Sequence, residues 1–137
     1  MIEFEVKERI MSIGEKKGQT VYYAAPKTVQ RITARQLEDE IVRATSLARG
    51  DVRNALTTLA EFVSSGLQQG ASVDLGDLGA IKVVIGAQLM DTPQEVTAAT
   101  LKTPAVRFFP KQEMLNAAKS VKVKVVNQYT GNESETP

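Results

Sequence analysis

Cysteine, histidine and tryptophan are all missing from this 137-residue chain. Without cysteine there is no disulfide, no thiolate metal site and no thiol nucleophile, as suits a reducing compartment. Without histidine the commonest general base and the commonest zinc ligand go too. Catalysis is therefore a poor expectation, and neither a metal nor a cofactor is expected. No apolar run approaches the roughly 20 residues that a membrane helix needs. The start, Met1-Ile2-Glu3-Phe4-Glu5, has neither a basic nor an apolar leader region. A soluble cytoplasmic protein is expected, with no membrane partner and no small-molecule substrate. Charge of one sign is lacking as well: 17 basic groups face 16 acidic ones, so only their distribution can inform.

What is present is a 42% hydrophobic content, enough for a core, organised around residues 51–83. Val52, Leu56, Leu59, Phe62, Val63 and Leu67 recur at mostly three- and four-residue steps, which predicts a helix of about five to six turns with one broad apolar face. Gly70 ends it. Val73 to Val83 then alternates around Gly76-Asp77-Leu78-Gly79, a hairpin pattern. A helix and a hairpin cannot cover that face alone. A neighbouring helix or a second copy of the chain must.

Upstream, Ile2, Phe4 and Val6 alternate with Glu3, Glu5 and Lys7 as in a half-buried strand. Gly14 and Gly18 bracket a charged turn, and Thr20 to Ala25 predicts a second strand stopped by Pro26. Thr33-Ala34-Arg35-Gln36 is a capping box that opens a helix with Leu37, Ile41 and Ala44 inward. Glu38, Asp39 and Glu40 are consecutive, so they do not face one another as a catalytic pair would, and a solvated face is expected. Ser46 to Gly50 reads as the connection to the long helix. Downstream, Gly86 to Pro104 contains the turn signal Asp91-Thr92-Pro93-Gln94 and little apolar mass, which predicts a protruding β-ribbon or a mobile loop. Val106 to Phe109 is a strand, and Pro110 suits the first turn of a short helix to Lys119 with Met114, Leu115 and Ala118 inward. Val121, Val123 and Val125 alternate with Lys122 and Lys124 in a last strand, and residues 127–137 read as a frayed polar tail. Antiparallel pairing of the two terminal strands would set Glu3 and Glu5 against Lys122 and Lys124.

Positive charge gathers late: residues 107–126 carry Arg107, Lys111, Lys119, Lys122 and Lys124 against Glu113 alone, whereas residues 86–106 carry Lys102 against Asp91 and Glu95. The late cluster is either a solvated face or a phosphate-binding surface. Gly76-x-x-Gly79 is flanked by strands and holds Asp77, so a tight turn fits better than a phosphate clamp. Tyr22, Tyr23, Phe108 and Phe109 fit strand packing better than base stacking.

Taken in order, residues 33–119 resemble the HU and integration-host-factor family of bacterial DNA-architectural proteins. The resemblance rests on Thr33-x-x-x-Leu37, Leu67-x-x-Gly70, Val73-x-Leu75-Gly76-x-Leu78-Gly79-x-Ile81 and Phe108-x-Pro110. The added end strands are similar to those of Bacteroidetes HU-like proteins. The resemblance implies an α+β fold built as an intertwined homodimer: two N-terminal helices, a β-sheet with a protruding β-ribbon arm, a short C-terminal helix and extra terminal strands. It divides the chain into a β extension at 1–32, a DNA-binding domain at 33–119 and a strand with a polar tail at 120–137. It implies a dimer core at Leu56, Leu59, Phe62, Leu78, Ile81 and Phe108. Arg35, Arg49, Lys82, Lys102, Arg107 and Lys111 would face double-stranded DNA, with Pro93 near the arm tip, where family members wedge a proline between base pairs.

The function expected is sequence-nonspecific, histone-like DNA binding in the nucleoid through phosphate contacts and bending. The arm is the departure, because it is slightly acidic and somewhat shortened. An HU-like dimer serving as a structural or protein-interaction module with little DNA affinity is the alternative.

Overall fold

Thr33 opens the first helix by the reciprocal bonds its sequence prescribes: the Gln36 amide donates to Thr33 Oγ1 at 3.2 Å and the Thr33 amide to Gln36 Oε1 at 2.9 Å. This helix, α1, spans Ala34–Ala44. The structure, a computed structural model, describes residues 1–137, the side chain of Thr28 excepted. It is a mixed α+β fold with three helices and two sheets. Two compact units divide it, one of residues 33–116 and the other of residues 1–32 with 117–137.

In the first unit the long helix α2 runs from Arg49 to Gln68. It begins two residues before Asp51 because the Asp51 carboxylate accepts the Ala48 amide at 3.3 Å, so Arg49 and Gly50 form its first turn rather than the connection. It ends in a Schellman pair, with the Ala71 amide on the Gly66 carbonyl (2.9 Å) and the Gly70 amide on that of Leu67 (3.0 Å). The turn needs the left-handed φ of +76° at Gly70. Two-residue β3 (Val73–Asp74) and β4 (Gly79–Val84) make the hairpin, and β5 (Ala105–Pro110) completes an antiparallel sheet of order β3-β4-β5. Pro110 thus closes a strand, and the short helix α3 starts after it, at Gln112–Lys119.

The register opposes Ile81 to Phe108 and Lys82 to Arg107. Since strand side chains alternate, Ile81, Val83 and Phe108 share one face and Lys82, Arg107 and Phe109 the other. Ile81 and Val83 turn toward α2 and, with Leu56, Leu59, Val63 and Leu67, line an open apolar groove of about 630 Å³. Among the described residues Val52, 2% exposed, is the sole buried apolar side chain. Leu56 and Ile81 are half-buried, and Leu59, Leu78 and Phe108 are exposed. Phe62 is 72% exposed.

Residues 86–104 do not form the expected β-ribbon. Pairing beyond Val84 and Ala105 is limited to one bridge, Ala87 with Leu101, and the chain folds into 3-10 turns at Pro93–Glu95 and Ala98–Thr100. Local bonds displace a ladder here: Thr92 Oγ1 donates to Glu95 at 3.0 Å and Thr100 Oγ1 to the Thr97 carbonyl at 2.7 Å. Pro93 sits at the start of a turn, where its fixed φ is tolerated.

The second unit is a four-stranded sheet of order β2-β1-β6-β7, built from β1 (Ile2–Ile10), β2 (Thr20–Thr28), β6 (Val123–Asn127) and β7 (Asn132–Glu135). β1 pairs with β6 in parallel, not antiparallel as expected. The register still places Glu3 beside Lys124 and Phe4 beside Val125. Pro26 does not end β2; opposite Phe4 it is absorbed by a shift of register. Nor does the tail fray. Asn127 Oδ1 accepts the amides of Tyr129 (3.1 Å) and Thr130 (3.3 Å), Gly131 takes φ +74°, and the chain returns as β7. No helix among the described residues is long and apolar enough to cross a membrane.

Candidate nucleic-acid interface

The sheet face turned away from the groove sets two cations side by side. Lys82 and Arg107 are direct cross-strand partners, and like charges in that position repel unless an anion intervenes. Lys82 Nζ lies 4.5 Å from the centroid of Phe109, a cation–π contact that holds the ammonium over the sheet. At the sheet's end Lys111 approaches Asp74 at 3.8 Å, while its amide donates to the Leu78 carbonyl at 3.1 Å. The Asp74 carboxylate also accepts the Gly76 amide at 2.9 Å, fixing the hairpin turn. That turn brings the backbones of β4 and β5 together at Gly79, where a Cβ would overlap the Phe109 carbonyl oxygen and stand 2.8 Å from Pro110 Cα.

The helix cations are placed differently. Arg35 is exposed on the first turn of α1 and has no ion pair among the described residues. Arg49 is drawn onto α1, where it pairs with Asp39 and, at 3.4 Å, with Glu38. Glu38 is not on a solvated face. It is 7% exposed, and Arg53 forks onto it with bonds of 3.3 and 3.2 Å. The hydrogen bond from Arg53, then the charges of Arg53 and Arg49, hold the Glu38 carboxyl below the usual glutamate range against a burial effect that opposes them. Sequence reasoning missed this lock, because Glu38 and Arg53 lie on different helices.

Pro93 and Lys102 lie in the segment of 3-10 turns, with the Lys102 amide bonded to the Gly86 carbonyl at 2.8 Å. The late cluster of cations is divided between the two units. Arg107 and Lys111 belong to the unit of residues 33–116, whereas Lys119, Lys122 and Lys124 belong to the other. Lys124 is bound to Glu133 at 3.1 Å, and that hydrogen bond, followed by the charges of Glu133, Glu135 and Glu3, raises its pKa above the ordinary lysine value. Among the described residues no group of three or more acidic, cysteine or histidine side chains could hold a metal ion.

A family model described as an HU domain fused to a wHTH, Ig or glycine-rich motif, HU-HIG, matches residues 1–125. The fold is similar to a crystal structure from Bacteroides vulgatus, described as that of a candidate bacterial DNA-binding protein, with a TM-score of 0.58 and 16% identity. The match covers 92% of this chain and 48% of that one, so the present chain spans about half its length. At this identity the likeness is one of fold alone. No curated protein matches.

Proposed function

The chain belongs to the HU-HIG family, and from that premise we propose that it binds double-stranded DNA without sequence preference, as a homodimer that contacts phosphates and bends the duplex. The observation that carries this reading is the Lys82–Arg107 pair on the outer face of the three-stranded sheet. Adjacent cations of this kind gain most when a phosphate lies between them, and release of counterions then supplies affinity. Residues 33–119 are the DNA-binding domain in this account, flanked by 1–32 and 120–137. Lys82 and Arg107 come first in order of contribution, then Arg35 and Lys111. Arg49 is partly neutralised by α1, and Lys102 and Pro93 stand on a segment with little positive charge. Binding, not catalysis, is the activity, and the nucleoid is its place.

Dimerisation is supported by the open groove on α2 and the exposure of Phe62. A second copy would cover Leu56, Leu59, Phe62, Leu78, Ile81 and Phe108, joining folding to association. A specific observation favours a second reading, an HU-like interaction module with little DNA affinity: Asp74 and the α1 carboxylates already engage Lys111 and Arg49. Titrating a mixed-sequence duplex at several salt concentrations separates the two. In the DNA-binding reading, the slope of log affinity against log salt falls by about 0.9 for each phosphate contact removed by Lys82→Ala or Arg107→Ala. Undetectable binding even at low salt would leave the interaction module.

A further inference from the structure

β1 and β2 continue as a two-stranded ribbon past the point that β6 reaches. β6 pairs only with Ile2 to Glu5, and Gln128 extends the contact by one residue through the Val6 amide and carbonyl. β1 nevertheless stays paired with β2 as far as Ile10 opposite Thr20, and its last four residues are exposed. The tip is ordered by short bonds: Met11 and Gln19 close its base at 3.0 Å, and two successive turns follow, Gly14 carbonyl to Lys17 amide (3.2 Å) and Lys16 carbonyl to Gln19 amide (2.9 Å). Gly18 supplies the positive φ (+82°) that the second turn needs, and Gly14 takes +86° where the first begins.

Charge on this ribbon is placed asymmetrically. The register opposes Lys7 to Tyr23 and Arg9 to Val21, so both cations and Tyr23 share a face, while Glu8 lies on the other, opposite Tyr22. The tip adds Lys16 and Lys17 against Glu15. Lys7 leans toward Glu5 at 3.8 Å, but Arg9, Lys16 and Lys17 have no ion pair among the described residues. The segment of residues 86–104, by contrast, has neither a ribbon nor an excess of cations.

We propose that the distal β1–β2 ribbon is a second DNA-contacting element, which lies in a groove of the duplex and sets Arg9, Lys16 and Lys17 on phosphates. A two-stranded ribbon fits the major groove, which is about 12 Å wide. Cations at the strand end and at the tip can then reach the backbone while Tyr23 lies toward the groove floor. The proposal rests on the DNA-binding reading above, and extends it to a unit outside residues 33–116.

The test is duplex binding across a salt series by the full chain, by Arg9→Gln/Lys16→Gln/Lys17→Gln, and by a charge-matched control, Arg31→Gln/Lys119→Gln/Lys122→Gln. All six positions are exposed, and thermal unfolding verifies that the folds are retained. The ribbon variant is expected to lower the salt slope by about 2 to 3 per ribbon engaged, at about 0.9 per phosphate, with a smaller change for the control. Unchanged slope and affinity in the ribbon variant, while the parent binds, would overturn this proposal alone; equal loss in the control would do the same by reducing the effect to net charge. Absence of parental binding at low salt would overturn it together with the DNA-binding reading. Vesicles of phosphatidylserine and phosphatidylcholine form a further arm, because Ile10 and Ile13 are exposed beside the lysines. Vesicle binding lost in the ribbon variant, with duplex binding intact, would make the ribbon a lipid contact and refute the proposal.

Discussion

The two units of this chain settle their apolar and polar groups in different ways. In the unit of the chain ends, β1 and β6 each have a strand on both sides, all five residues of β6 are half-buried, and Lys124 is matched by glutamates. In the unit of residues 33–116 the capping box of α1, the end of α2 and the hairpin turn are hydrogen-bonded, yet the apolar face of α2 opens on a groove and Phe62 stands in solvent. Local bonding fixes the shape of both. The second carries an apolar groove along its longest helix, the kind of face that a protomer with a shared core would cover.

The largest expected effect strikes that open face. Phe62→Ala should cost about 3 to 5 kcal/mol if a second copy buries the ring. Denaturant unfolding at several protein concentrations would show it, with midpoints that rise with concentration in the parent; a change below about 0.5 kcal/mol, typical of a surface site, would remove the contrast between the units.

Next come two glycines, one in each unit. Gly79→Ala should cost more than about 2 kcal/mol, because φ is +141° and the new Cβ meets the β5 backbone. Gly131→Ala has open space, so only its left-handed φ matters, at about 1 to 2 kcal/mol. Equal losses in thermal unfolding would mean that β4 and β5 can part at Gly79.

Deleting residues 1–12 sharpens the comparison spatially. Since β1 is an inner strand, β2 and β6 both lose their partner, and amide exchange should quicken in β6 and β7 while α2 keeps its protection. Protected β6 amides in the shortened chain would contradict the strand order.

The smallest effects are opposite in pH. The native Glu38 carboxyl titrates below its unfolded value, so its contribution is complete above the ordinary glutamate range and is lost as pH falls through the native value. The native Lys124 ammonium titrates above its unfolded value, so its contribution is complete below the ordinary lysine range and is lost as pH rises through the native value. Glu38→Gln should flatten the acid limb of a melting-temperature profile, and Lys124→Met the alkaline limb. Retention of both limbs would deny these pairs a role.

Much of the fold was legible in local chemistry. The Thr33 capping box, the α2 stripe with its stop at Gly70, and the Gly76–Gly79 turn depend on neighbours in sequence, and the structure has each of them. Failures came where a distant partner decides. Lys122 and Lys124 indicated a strand but not that it lies parallel to β1. Asn132 to Glu135 looked like a tail because its pairing partner, β6, is itself defined by β1. Resemblance suggested a ribbon at residues 86–104, whereas Thr92 and Thr100 satisfy their hydroxyls within short turns. For the interface, a position on a strand could be read for Lys82 and Arg107, but their register could not. The engagement of Arg49 by α1 depends on how two helices pack, which no spacing within one helix encodes.

Sedimentation velocity of the full chain with a mixed-sequence duplex, at micromolar protein and low then rising salt, bears most directly on the account. Two chains per bound unit, released together from the duplex as salt increases and remaining a dimer once free, are the predicted result. A folded monomer that sediments apart from the duplex even at low salt would contradict it.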